Sequence, residues 1–178
     1  MNTWYGSEDS EALTGVSFAG WCLVGVRLLG LAPIVLSGLL LSVLLRGLER
    51  PIFGQNRPVT PYITVAVCRF ALRIIGLPCR VTGTPMRSPG AFVANHSSWL
   101  DIFVLNSCAR VYFVSKAEVS AWPLIGWLAR ATGTVFIRRS RQDAAQQTEM
   151  FRARLRNGHR LLFFPEGTST DGVRVLPF

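Results

Sequence analysis

Lysine is all but missing from this chain: of 19 basic residues 18 are arginine, and Lys116 is the exception. Acids are also few, ten in all, which leaves a formal net charge of +9. Cys22, Cys68, Cys79 and Cys108 are scattered, with no C-x-x-C pair and no metal-ligand spacing. That argues against a zinc site and for buried, reduced thiols. No internal repeat or low-complexity tract is present. No nucleic-acid motif accompanies the positive charge, so nucleic acid fits poorly as a partner. From Leu28 to Leu45 charge is absent altogether, over 18 residues. That length is near the lower limit for a membrane span.

What is present divides the chain in two. Residues 1–11 are polar and acidic. From Ala12 to Leu45 the sequence is apolar, with Arg27 as its single charge. Pro33 and Gly38 fall inside this run, and membrane helices tolerate both. A basic leader and a small-residue cleavage pattern are missing, so a signal peptide is a poor match. The run is long for one upright helix. A single membrane helix, a hairpin broken around Arg27 to Pro33, and a buried helix of a soluble core all compete. Arg46, Arg50 and Arg57 follow at once and place the body on the cytoplasmic side of a cell (inner) membrane. With 49% hydrophobic residues and a mean hydropathy of +0.32, membrane contact is expected. A basic body on an apolar anchor suits an anionic surface or phosphate-bearing substrates. Residues 1–57 are read as tail and anchor, and 58–178 as the body.

The body opens with a helix over Tyr62 to Leu77, apolar nearly all round except Arg69 and Arg73. It suits either an interfacial helix with snorkelling arginines or a core helix with a narrow solvated stripe. Strands are expected at Arg80–Thr82, Ala91–Ala94, Val111–Ser115, Thr134–Ile137 and Arg160–Phe164. Helices are expected at Asp101–Ser107, Leu124–Ala131 and Ser140–Asn157. The last has an S-x-x-D start, a stripe at Ala144, Thr148, Phe151 and Leu155, and Gly158 as its stop. Such alternation predicts an α/β fold: a mostly parallel sheet flanked by helices, behind an N-terminal apolar membrane helix or hairpin.

The stretch Asn95-His96-Ser97-Ser98-Trp99-Leu100-Asp101 lies at one strand-to-helix turn. Five residues on a regular helix turn through about 500°, so His96 and Asp101 cannot share a face mid-helix. His96 in the turn and Asp101 on the first helical turn can meet, because helical side chains lean towards the N-terminus. An aspartate on one ring nitrogen fixes the tautomer and leaves the other as a base. The competing reading is a helix cap, with Asn95, Ser97 or Ser98 capping and His96 incidental.

Two more polar stretches follow strand ends: Gly133-Thr134-Val135-Phe136-Ile137-Arg138-Arg139 and Phe163-Phe164-Pro165-Glu166-Gly167-Thr168-Ser169. In a parallel sheet the C-terminal strand ends share one edge, so the three motifs would converge on one crevice. Arg138 and Arg139 could equally be solvated at a strand exit, and Glu166-Gly167 an ordinary turn. Arg152, Arg154, Arg156 and Arg160 suit a solvated or membrane-facing side.

Together these residues resemble the membrane glycerolipid acyltransferases, typified by 1-acylglycerol-3-phosphate acyltransferase. The family's His-x4-Asp is similar to His96–Asp101, its Gly-x-x-Phe-x-x-Arg to Gly133, Phe136 and Arg139, and its Phe-Pro-Glu-Gly-Thr to Phe164–Thr168. The resemblance covers roughly Cys79 to Phe178. It implies transfer of a fatty acyl group from acyl-CoA or acyl-carrier protein to the hydroxyl of a lysolipid. His96 would be the general base and Asp101 its orienting partner. Acceptor binding would fall to Arg139, Glu166 and Gly167, with Arg138, Gly133 and Thr168 beside them. Backbone N–H groups of the turn after His96 are candidates to stabilise the oxyanion. No G-x-S-x-G elbow suggests a covalent intermediate. The resemblance implies no metal or organic cofactor beyond the acyl carrier. Lysophosphatidic acid is the default acceptor; a lyso-ornithine lipid, another lysolipid, or a non-catalytic lipid-binding role are alternatives. The family's fourth motif, an apolar-Pro stretch well after the third, does not occur before Phe178. The body is therefore expected to be incomplete at its C-terminus.

Overall fold

The computed structural model describes residues 15–138 and 140–170. Strands Gly90–Val93 (β1), Tyr112–Lys116 (β2), Val135–Ile137 (β3) and Arg160–Phe163 (β4) form one sheet in the order β1-β4-β2-β3. All three pairings are parallel. The crossovers carry helices Leu100–Cys108 (α3), Ile125–Thr132 (α4) and Ala144–Arg156 (α5), and a short 3-10 helix at Ala117–Ala121.

The last of the described strands occupies an inner place in the sheet. Its Leu161 and Leu162 are 1% and 2% exposed, as an unbroken apolar run covered on both faces should be. On one face Leu161 joins Tyr112, Val114 and Val135 under Met150, Phe151 and Leu155 of α5. On the other Leu162 joins Val111 and Phe113 against Leu105 of α3, Phe92 and Phe164.

Four of the five expected strands form. Arg80–Thr82 does not: residues 77–89 run irregularly into β1. Pro78, Gly83, Pro85 and Pro89 interrupt that segment before a ladder can build. The expected helix from Ser140 begins only at Ala144. Ser140 instead closes a separate turn, its hydroxyl accepting from Gln142 N (3.2 Å) and its carbonyl from Asp143 N (3.3 Å). Of the stripe, Phe151 and Leu155 meet the core, while Thr148 is exposed. Residues 171–178, where the body is expected to be incomplete, and the N-terminal tail lie outside the described residues.

The N-terminal run is one helix, α1 (Phe18–Phe53, 36 residues), about 54 Å long at 1.5 Å per residue. It passes through Arg27 and Pro33 unbroken, so the hairpin reading is wrong at that point. It is long and apolar enough to cross a membrane, and only 6% of its most apolar window is buried. The turn comes later, before α2 (Thr60–Ile75), which returns antiparallel along α1. Gly38 marks their close approach, since a Cβ there would strike Val67. Glu49 fastens the turn: its Oε1 accepts from Val59 N (2.6 Å) and Thr60 N (3.0 Å), and its Oε2 from the Thr60 hydroxyl (2.8 Å). A buried carboxylate thus caps the incoming helix.

Helix α2 buries Cys68, Ala71 and Leu72, while Tyr62 and Phe70 stay exposed. Arg69 does not snorkel; its Nε donates to the Ser107 carbonyl (2.9 Å) and ties α2 to the end of α3. The cysteines also differ from expectation. Only Cys68 is buried, while Cys22 and Cys79 are exposed. The irregular segment after α2 brings Cys79 Sγ to 3.9 Å from Cys108 Sγ.

Candidate active site

Strand β1 stays in the ladder through Ala94, whose N–H donates to Phe163 O (3.2 Å). The chain then leaves the sheet and enters α3 at Leu100, placing Asp101 in its first turn. His96 Nδ1 lies 2.8 Å from Asp101 Oδ2. The same oxygen accepts from Ser97 N (2.7 Å) and Ser98 N (3.0 Å). Capping and ring orientation are therefore one device. The two readings of the sequence describe the same carboxylate, which binds the turn and the imidazole at once. With Nδ1–H given to the carboxylate, Nε2 carries the lone pair. Both side chains are 23% exposed, so a substrate can reach them.

This geometry narrows one expectation. The N–H groups of Ser97 and Ser98 are directed at Asp101, and neither is left for an oxyanion.

The third motif packs directly onto the first, because β4 is the neighbour of β1. Phe164 stacks on the His96 ring at 4.2 Å and 18°, and on the Phe113 ring at 5.7 Å. Thr170 N donates to His96 O (2.7 Å), closing the loop over the turn. Gly167 takes a positive φ of 65°, and its N–H donates to Phe164 O (3.1 Å). Glycine takes such a bend without the Cβ strain that other residues meet there. Glu166 is part-buried, and its Oε2 has no hydrogen-bond partner among the described residues. Thr168 is half-buried in the same loop.

The second motif is divided between the two sheet edges. Arg138 leaves β3 at the edge of His96 and is exposed, its carbonyl accepting from Gln147 Nε2 (2.7 Å). Strand β3 stands three places from β1, roughly 14 Å at a spacing of about 4.8 Å. Arg139 lies outside the described residues. Gly133 is not at this edge: it ends α4 with φ 87°, before β3 begins. A Cβ there would come within 3.0 Å of Tyr112 and Arg57.

Sequence reasoning missed Phe164 as the floor of the histidine. The residue stood inside a quoted motif, but only the adjacency of β1 and β4 shows what it touches. It also missed Trp99 and Ile102, 61% and 42% exposed beside the dyad. Among the described residues, no group of three or more His, Cys, Asp or Glu side chains could hold a metal ion.

Residues 79–178 match the sequence model of the family described as Acyltransferase. A lyso-ornithine lipid O-acyltransferase of Rhodobacter capsulatus is 55% identical over 162 residues, covering 91% of this chain and 59% of that protein. One of Pseudomonas aeruginosa is 41% identical over 156 residues, covering 88% of this chain and 59% of its own. A 1-acyl-sn-glycerol-3-phosphate acyltransferase of Neisseria gonorrhoeae is 38% identical over 128 residues, covering 70% and 48%. The chain thus spans about three fifths of the first two relatives. No solved structure gives a significant match. The matched region is the parallel sheet with its histidine–aspartate turn, and the chain belongs to the acyltransferase family.

Proposed function

We propose that this chain is the acyl-transfer body of a membrane-attached lysolipid O-acyltransferase. The observation that carries the reaction is His96 Nδ1 at 2.8 Å from Asp101 Oδ2. Nε2 takes the proton of the acceptor hydroxyl as its oxygen attacks the thioester carbonyl. Collapse of the tetrahedral species breaks the C–S bond. The imidazolium returns the proton to the departing thiolate, and Asp101 stabilises that imidazolium meanwhile. The donor is a fatty acyl thioester on coenzyme A or acyl-carrier protein, and no metal or organic cofactor is assigned a role. Trp99 and Ile102 offer apolar contact for an acyl chain beside the base. Arg139, Arg138, Glu166, Gly167 and Thr168 are assigned to the acceptor, in keeping with the preference of guanidinium groups for phosphate and carboxylate. Gly133 serves this role at most indirectly, from the other sheet edge.

Both lysophosphatidic acid and lyso-ornithine lipid are named acceptors among the relatives. The Rhodobacter capsulatus and Pseudomonas aeruginosa proteins, at 55% and 41% identity, carry the lyso-ornithine name, so we take that lipid as the preferred acceptor. Helix α1, with its apolar exposed surface, supports attachment to a membrane. The arginines after Leu45 support a cytoplasmic body.

The test is acyl transfer in membranes carrying the chain, with labelled acyl donors and both lysolipids, beside His96→Ala. Transfer to lyso-ornithine lipid that collapses in the variant is the expected result. Transfer to lysophosphatidic acid alone would reverse the acceptor. Binding of lipid without turnover, unchanged in His96→Ala, would leave a non-catalytic lipid-binding protein.

A further inference from the structure

A second polar cluster occupies the sheet edge opposite His96. Arg110 precedes β2, His159 and Arg160 lead into β4, and Arg57 enters from the α1–α2 turn. With Tyr112 and Phe53 they line a cleft of about 250 Å³. Whole small molecules usually fill roughly 300–1,000 Å³, so this cleft suits a head group. A four-residue strand separates the two edges by roughly 13 Å, which keeps the cleft apart from the dyad.

The cluster consists of donors without acidic partners. Arg57 Nη1 donates to Ala131 O (2.6 Å) and Arg160 Nη1 to Met86 O (3.1 Å). Arg110 Nη1 donates to the Tyr62 hydroxyl (2.8 Å) and lies over the Tyr62 ring. None of them pairs with a carboxylate among the described residues. Each guanidinium has five donor hydrogens, so most are uncommitted. The one acid close by, Glu49, is occupied in capping α2.

His159 gives the cluster direction. It is 4% exposed and stacked on Tyr112 at 4.3 Å. Arg154 Nη1, 3.5 Å away, faces its Nδ1, which makes Nδ1 the acceptor and leaves the ring proton on Nε2. Among the described residues neither that Nε2 nor the buried Nε of Arg57 has a hydrogen-bond partner of good geometry. The Gln55 backbone carbonyl faces the ring and favours its charged form. A buried guanidinium donor without an acceptor, beside a ring donor that only the Gln55 carbonyl approaches, calls for a ligand, and one with several acceptor oxygens and negative charge would serve both. Phe53 in the lining is exposed, as are its neighbour Ile52 at the end of α1 and Val59 at the start of α2, so apolar surface flanks the cleft.

We propose that this cleft is a second anion site, which takes the phosphate of an anionic membrane phospholipid. Free phosphate shares the chemistry, and the apolar rim favours the lipid. The site does not depend on the acyl-transfer reading, since none of its residues belongs to the dyad.

The experiment uses the whole chain in neutral detergent with ¹⁵N-labelled histidine. Inorganic phosphate and short-chain phosphatidylglycerol are titrated separately while the His159 imidazole resonance is followed. Phosphatidylglycerol is expected to shift that resonance saturably. Arg110→Gln and, independently, Arg160→Gln should each weaken the effect about tenfold. Arg152→Gln, which removes the same charge from the exposed face of α5, should not. Two variants guard against a folding defect in either, and melting curves identify one. A shift with inorganic phosphate but not with the lipid would overturn the lipid assignment. No shift with either probe, or equal losses in Arg152→Gln, would overturn the site itself.

Discussion

Asp101→Asn isolates what the carboxylate charge does. Asparagine keeps the shape, and its side-chain oxygen can still accept from Ser97 N and Ser98 N, so the turn retains its cap. It cannot give His96 Nδ1–H an anionic partner. The amide orients the ring less strictly and does little for the imidazolium formed during transfer. At about 4 Å between charge centres and an effective dielectric near 20, that pairing is worth up to ~4 kcal/mol. Exposure of both side chains lowers the figure to about 2–4 kcal/mol, or roughly a 30- to 1,000-fold loss in kcat. Stability should fall by only about 1 kcal/mol, the difference between charged and neutral acceptors. The assay measures kcat and KM for acyl transfer in detergent, with a thermal melt of the same preparation. The expected pattern is a large fall in kcat, little change in KM and a small fall in Tm. If Asp101→Asn stays within threefold of the parent while His96→Ala is inactive, the carboxylate is only a cap and the reasoning fails.

Three further outcomes are expected. Phe164→Ala removes the ring beneath His96 and the contact with Phe113; it should cost about 2–4 kcal/mol in a denaturant melt. Phe164→Leu should recover most of that stability but less of the activity. Glu49→Ala leaves the N–H groups of Val59 and the buried Thr60 without their acceptor and should cost about 1–3 kcal/mol, read as earlier proteolysis between α1 and α2; unchanged cleavage would deny Glu49 its capping role. The third concerns pH. Burial, then Arg154, Arg57 and Arg46, holds the His159 imidazole down to about 4 from an ordinary 6.5. The unfolded chain therefore binds the proton first as pH falls, so this contribution is present above about 6.5 and is lost between there and about 4. The parent should lose about 1–3 kcal/mol over that window. His159→Asn should flatten the slope, and an unchanged slope would mean the ring titrates normally.

Much of this protein was legible in its order of residues. The strands Ala91–Ala94, Val111–Ser115 and Arg160–Phe164 stand out because a doubly covered parallel sheet demands continuous apolar runs. His96 and Asp101 could be paired on paper because only five residues separate them. Local geometry at a strand-to-helix turn then leaves few ways for them to lie. Composition marked the apolar run, but whether it forms one helix or a hairpin stayed open until the fold showed α1 unbroken. Strand order could not follow, since it depends on which runs pack best across helices many residues apart. The adjacency of β1 and β4 puts Phe164 under His96, and the place of β3 beyond β2 leaves Arg138 at a distance. Other roles were likewise decided in three dimensions. Ser97 and Ser98 spend their N–H groups on Asp101, Gly133 turns at the far edge, and Arg69 holds a helix end. His159 and Arg57, 102 positions apart in the chain, meet in one buried cluster. Sequence specified the chemistry that neighbours along the chain can make, and tertiary packing chose which distant groups complete it.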